Sequence, residues 1–357
     1  MSDSIQTAIA ALPVPECEVA LGDAQVRVRA AEAGTEVAVS LLCGFPVDGM
    51  RSALESAVAA KLVSLGRSLR SLELTQRITS HAVQPKLSPL PNVRNIIAVG
   101  SGKGGVGKST TAVNLALALS ADGARVGVLD ADVYGPSVPM MLGLTGRPDS
   151  PDGKTIEPMR AHGIEAMSIG LLVEQETPMI WRGPMATSAL TQLLNETRWG
   201  GAEGLDYLIV DLPPGTGDIQ LTLAQKIPVA GAIIVTTPQD IATLDARKAL
   251  KMFEKVEVPV LGLVENMAVY VCSNCGHAEH LFGEGGGRRM STQYAVALLG
   301  SLPLEAAIRE QGDAGVPVVA SAPGSAAAMA YRQAARRLAV QLAMRPRVTP
   351  SIAASLL

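Results

Sequence analysis

The residues best suited to chemistry are Gly102-Lys103-Gly104-Gly105-Val106-Gly107-Lys108-Ser109, followed by Thr110, which fit G-x-x-x-x-G-K-[ST] without a mismatch. That pattern is a phosphate cradle. Glycines let backbone N–H groups curl around an anion without Cβ clashes, and a helix start adds a favourable dipole. Lys108 would neutralise the β- and γ-phosphates, and the Ser109 hydroxyl would take one Mg²⁺ position. The positioning elements lie on either side: an apolar strand over Ile96–Val99 and a run of good helix formers over Thr111–Leu119. The same glycines also spell a dinucleotide fingerprint, Gly102-x-Gly104-x-x-Gly107, with Asp130 where a ribose-binding acid belongs. Lys108 and Ser109 decide against it, since a dinucleotide loop has no use for either. A glycine-rich turn that binds nothing is disfavoured because motif and context agree.

Acids gather at the ends of neighbouring strands. The strand Leu205–Asp211 ends in a carboxylate suited to holding Mg²⁺, directly or through water. Leu212-Pro213-Pro214-Gly215-Thr216-Gly217-Asp218 then reads as a rigid turn able to sense a γ-phosphate. Asp130 and Asp132 put a second pair of carboxylates after Val128-Leu129. Each acid alone could be a helix cap or a surface turn; three beside one phosphate loop favour a site.

A second constellation is Cys272-Ser273-Asn274-Cys275-Gly276-His277-Ala278-Glu279-His280. C-x₂-C lets two thiolates reach one metal centre. Cys₂His₂ zinc is a competitor, although the spacing to the histidines is tight. A redox dithiol belongs at a thioredoxin-like helix start rather than in this loop. An iron–sulfur cluster needs four thiolates, which a two-fold dimer with this loop near its axis would supply.

The whole chain has 357 residues, enough for a large α/β domain and a small one, with 48% hydrophobic residues, 3% aromatics and a net charge of −3. The charge gives no reason to expect nucleic acid, no run of 18 apolar residues suggests a membrane span, and the N-terminus does not read as a signal peptide. Four cysteines fit reduced thiols in a cytoplasmic protein better than a disulfide scaffold. Residues 1–80 read as a small α+β unit, 81–92 as a proline-rich linker, 93–344 as the main domain and 345–357 as a loose tail. Strands are expected at Ile96–Val99, Arg125–Asp130, Leu205–Asp211, Ala230–Thr236, Val260–Glu265 and near Ala297–Leu302, with a helix over Asp240–Lys255. Their apolar character predicts a doubly wound, mostly parallel α/β sheet with ligands at the strand carboxyl ends.

The extra lysine after the first glycine resembles the deviant Walker A class, which includes septum-site and partition ATPases, the arsenite pump ATPase and nitrogenase iron protein. Within that class the chain is similar to the Mrp/ApbC iron–sulfur carrier ATPases. The residues carrying the likeness are Ser101–Thr110, Asp130–Ser137, Trp181–Met185, Asp211–Asp218, Glu265-Asn266-Met267, Cys272-x-x-Cys275-Gly276 and Phe282–Gly287.

The resemblance implies that Lys103 reaches the partner's nucleotide across a homodimer and that Asp132 orients or activates the attacking water. It implies that Asp130 supports the Mg²⁺ environment, Asp211 is the Walker B acid and Asn266 hydrogen-bonds adenine. Cys272 and Cys275 would hold a subunit-bridging cluster, 4Fe–4S in preference to 2Fe–2S, for delivery to apo iron–sulfur proteins. The N-terminal unit is similar to a small iron–sulfur-targeting domain but lacks its Cys-Pro signature, because Cys43 is followed by Gly44-Phe45-Pro46. Two alternatives stay open. One is a positioning or partition ATPase, which the proline-broken basic end Arg345–Pro350 argues against as a membrane anchor. The other is an ATPase whose C-x₂-C holds structural zinc.

Overall fold

The computed structural model describes residues 2–172, 183–272 and 274–347. The N-terminal unit comprises α1 (Ser2–Ala10), β1 (Arg27–Ala33), β2 (Glu36–Cys43), α2 (Arg51–Ser64) and β3 (Ser68–Gln76). Its sheet runs β1-β2-β3, with β1 antiparallel and β3 parallel to β2. Strict alternation makes β2 two-faced: Val37, Val39, Leu41 and Cys43 are buried, whereas the residues between them are partly open. Leu54, Val58 and Leu62 recur at helical spacing and put one stripe of α2 into the same core. Helix α1 has no counterpart in the sequence reading; Ile5 and Ile9, one turn apart, bury it.

The main domain begins with β4 (Val93–Gly100), α3 (Lys108–Ala121), β5 (Val126–Asp130), α4 (Val138–Met141), β6 (Met159–Ala161) and β7 (Ile164–Ser168). It continues with α5 (Gly183–Glu196), β8 (Leu205–Asp211), α6 (Asp218–Lys226), β9 (Gly231–Thr236) and α7 (Asp240–Lys255). Last come β10 (Val260–Val271), β11 (Ala278–Glu279), α8 (Gly286–Tyr294), β12 (Leu298–Leu304), α9 (Ala306–Asp313), α10 (Val318–Ser321) and α11 (Ala326–Ala343). The nine-stranded sheet follows the path β11-β10-β9-β4-β8-β5-β7-β6, with β12 beside β10. Only the end strands β6 and β11 pair antiparallel. Every residue of β5, β7, β8 and β9 is buried, because helices cover both faces. One apolar cluster joins α3 and α11 to the sheet, and the other joins α5, α6 and α7. The fold is the doubly wound α/β sheet expected. Strands β6, β7 and β11 were not foreseen; β6 and β7 form a hairpin across His162 and Gly163, both at positive φ.

The two units share one continuous core, in which Leu21, Val39 and Phe45 belong to the same cluster as Leu338 and Ala343 of α11. A buried ion-pair staple reinforces the seam. Asp122, at the end of α3, holds Arg332 at 2.7 Å and Arg336 at 2.6 Å, and Arg336 also donates to Gly49 O at 3.0 Å.

Segment 81–92 has neither helix nor named strand, yet it is pinned. The Gln84 side chain donates to Ala224 O and Ile227 O and accepts from Val229 N–H, which ties it to the end of α6. The tail expected to be loose from Arg345 begins anchored: Ala82 N–H donates to Pro346 O, and His81 bridges Arg347. Residues 348–357 lie outside the described residues. Among the described residues, no helix is long and apolar enough to cross a membrane.

Candidate functional site

The site forms where the central strand β4 runs out between β8 and β9. Gly105 and Gly107 sit at φ +78° and +79°, so the loop makes two left-handed turns before α3 starts at Lys108. Gly102 lies so close to the Asp245 backbone of α7 that a Cβ would collide with it. The loop is further tied by Ser101 Oγ–H to Lys103 O at 2.9 Å, and by Thr111 Oγ1–H to Gly107 O at 2.8 Å. Gly215 N–H donates to Ser101 O at 3.0 Å, which fastens the turn after β8 to the loop. Lys103 is half-buried and pairs with no acid among the described residues, whereas Gly104 and Gly105 are exposed.

Lys108 is buried and lies 2.6 Å from Asp211 Oδ1, with the Ser109 hydroxyl 3.2 Å from its ammonium. Asp130 and Asp211 are register partners at the ends of β5 and β8, so two buried carboxyls stand side by side. Burial, with Asp211 adding to it, pushes Asp130 well above the usual carboxylate range. Asp211 is pushed up by burial and pulled back by the Lys108 cation. Its Oδ2 is buried without a hydrogen-bond partner, an acceptor that a cation would satisfy. With Ser109 beside Lys108, the donor set suits a hard, oxygen-seeking ion such as Mg²⁺.

Asp130 is held at the end of β5 by four donors. One oxygen accepts from Asp132 N–H; the other accepts from Ser137 N–H, Val138 N–H and the Ser168 hydroxyl. It therefore ties the 131–138 loop to the start of α4. Ser168 had no signal in the sequence, because β7 itself went unseen. Asp132 is half-buried and accepts from Tyr134 N–H at 3.3 Å.

Strand β10 connects the loop to the cysteines. Asn266 is buried, and its Nδ2 donates to Val106 O at 2.9 Å, so its amide grips the phosphate loop from behind. Met267 at φ +56° and a break in the β10–β12 register mark a kink there. A cavity of about 200 Å³ opens beside it, lined by Gly107, Thr110, Met140, Asn266, Pro303 and Tyr331. It adjoins the phosphate loop through Gly107 and Thr110. The adjacent Glu265, quoted only as part of a motif, proves structural: it accepts from Gly287 N–H at 2.7 Å and from the Ser301 hydroxyl at 3.1 Å. An acid inside an apolar strand was the clue to a buried partner.

Beyond the kink, β10 and β11 form a hairpin arm with Cys272 and Cys275 at its tip. Cys272 N–H donates to His277 O, and Gly276 N–H returns to Cys272 O. The Asn274 and Cys275 backbone N–H groups point at the Cys272 sulfur and hold its thiol below the ordinary range. Cys275 is exposed. His280 turns away from the pair, with Nδ1 2.7 Å from Ala268 O, and among the described residues no three His, Cys, Asp or Glu side chains converge as a metal site. Intrachain Cys₂His₂ is therefore not the arrangement found. Trp181 and Arg182 lie outside the described residues.

The sheet, the phosphate loop and the buried acid that ends β8 together define a P-loop NTPase. The family described as ParA: NUBPL iron-transfer P-loop NTPase matches residues 92–339. An iron–sulfur cluster carrier protein of Pseudomonas fragi is 58% identical over 272 residues, covering 76% of this chain and 94% of that protein. The iron–sulfur cluster transfer protein NUBPL of Mus musculus is 47% identical over 320 residues, covering 88% and 99%. Among solved structures, an ADP-bound nucleotide-binding protein from Archaeoglobus fulgidus superimposes with a TM-score of 0.55 at 38% identity, covering 63% of this chain and 87% of that one. The cell division ATPase MinD of Pyrococcus furiosus, at 22% identity and a TM-score of 0.51, shares the fold. The chain belongs to the iron-transfer P-loop NTPase family.

Proposed function

We propose that this protein is a cytoplasmic, homodimeric ATPase that carries an iron–sulfur cluster and delivers it to apo-proteins. One observation carries the reading: a single strand, β10, holds the phosphate loop through Asn266 and presents Cys272 six residues later. Anything that moves the loop on nucleotide binding pulls on the arm that bears the thiols. Two thiolates per chain leave a four-ligand cluster half held, so two arms meet at a two-fold axis. The names of the relatives from Pseudomonas fragi and Mus musculus support the cargo.

Lys108 pairs with Asp211; bound ATP would draw its ammonium to the phosphates and free that carboxylate. Ser109 and Asp211 would hold Mg²⁺, which would supply charge neutralisation at the phosphates. Asp132 orients the attacking water, and Asp130 holds the loop that carries it. Lys103 reaches the partner's phosphates, and Asn266 contacts the adenine. Hydrolysis is slow and paces cluster handling.

Anaerobic reconstitution tests the reading. Wild type should take up iron and sulfide, whereas Cys272→Ser and Cys275→Ser should lose the cluster and keep ATP binding. A double serine variant with full iron and sulfide uptake would refute it, as would native protein holding tight zinc and refusing iron.

A further inference from the structure

Two cavities outside the nucleotide site adjoin along α8. The larger, about 870 Å³, is lined by Glu265, Val269, His280, Glu284, Arg288 and Arg289 among others. The second, about 530 Å³, is lined by Cys17, Glu18, Arg288, Leu298, Arg337 and Gln341 among others. Arg288 and Leu298 line both, so one groove runs from the hairpin arm to the N-terminal unit. Val269 and His280 flank the Tyr270–Glu279 pair. The near end of the groove is thus the base of the arm whose tip carries Cys272 and Cys275.

The charges along the groove are not equally committed. Arg337 donates to Glu16 O and Leu299 O, at 2.8 and 3.2 Å. Arg289 pairs with Asp240 at 3.1 Å and donates to Glu284 O. Glu265 is satisfied by Gly287 and Ser301, and Glu18 and Glu284 place two further carboxylates on the lining. Arg288 is exposed and has no acid partner among the described residues. It stands where the two cavities meet. An unmatched guanidinium in a concave site is a fork for a carboxylate.

We propose that this groove receives the cysteine-bearing segment of the apo-protein acceptor, a short extended peptide with an Asp or Glu near its thiols that pairs with Arg288. The proposal rests on the carrier reading above. Helix α8 has nine residues, about 13 Å at 1.5 Å each. That length matches about four extended residues. A carboxylate at Arg288 then points the acceptor's thiols along the arm towards the cluster. Each exchange breaks one Fe–S bond to Cys272 or Cys275 and forms one to an acceptor thiolate. The acceptor's proton passes to the departing thiolate, and no electron moves. The N-terminal unit acquires a role as the far wall of the acceptor groove.

Transfer from reconstituted full-length protein to an apo-ferredoxin with acids beside its ligand cysteines, followed against acceptor concentration, tests this. Arg288→Glu should raise the half-saturating concentration about tenfold, the size of one charge-assisted contact. Cluster content, ATP hydrolysis and maximal transfer rate should stay in place, and Arg288→Lys should recover part of the loss. Unchanged half-saturation in Arg288→Glu overturns the groove and leaves the carrier reading standing. So does a defect of the same size in Arg288→Lys, or one that tracks cluster loss. Wild type that loads a cluster but never passes it on overturns the carrier reading, and the groove with it.

Discussion

Replacing Lys108 by alanine probes the site before any nucleotide arrives. The ammonium lies 2.6 Å from Asp211 Oδ1, with side-chain exposures of 6% and 0%. Its loss leaves Asp211 buried with Asp130 alongside and no compensating cation. Breaking a buried pair from one side costs about 3–5 kcal/mol. A proton offers an escape, because neutralising an ordinary carboxyl at pH 7 costs about 4 kcal/mol. That figure caps the loss, and it falls by about 1.4 kcal/mol for each pH unit of acidification, to about 2 kcal/mol at pH 5.5. The sign follows from proton counting. Without Lys108 the folded-state pKa of Asp211 lies further above its unfolded value, so the folded state holds the extra proton. Stability is then lost as pH rises from about 4 through that folded pKa. Thermal unfolding without nucleotide should show a deficit of roughly 8 °C at pH 7 and about half that at pH 5.5, taking about 2 °C per kcal/mol for a chain of this size. Adding Asp211→Asn should restore most of it. A deficit that does not change with pH, or a double variant no more stable than the single, would refute the electrostatic account.

Gly102→Ala should weaken ATP binding at least about tenfold, because the added methyl displaces the loop from Asp245; an unchanged affinity in a fluorescent-nucleotide titration would contradict the packing argument. In timed alkylation of the apo protein at pH 8, Cys272 and Cys275 should label fast. Cys17 and Cys43 should stay protected, because burial pushes them to about 11 and about 12, leaving about one thiolate in a thousand or fewer. Asp132→Asn should bind ATP but hydrolyse it about 100-fold or more slowly, in the range typical of a lost proton-handling group; hydrolysis at the wild-type rate would remove Asp132 from the chemistry.

The nucleotide half of the site was legible because its chemistry is local. Gly102–Ser109 is one contiguous run, and Asp130 and Asp211 end apolar strands whose register then sets them side by side. What stayed hidden depends on contacts distant in sequence. Nothing near Ser168 points to Asp130, 38 residues away. Gln84 reads as linker composition until its side chain is seen on α6. The hairpin β6–β7 escaped because Glu165 interrupts the apolar run, and that acid is buried only because Arg160 and Gly200 N–H meet it. The cysteine arm was legible as a C-x₂-C pair, but the backbone N–H groups aimed at Cys272 belong to a turn that spacing alone does not specify.

The central claim is that two arms share one cargo. Iron and acid-labile sulfide measured per chain, on reconstituted protein whose mass is read by light scattering, tests it most directly. The account predicts a dimer with one cluster for every two chains, and hybrids of wild type with chains lacking both Cys272 and Cys275 should hold clusters poorly. A monomer that carries a complete cluster of its own would contradict it.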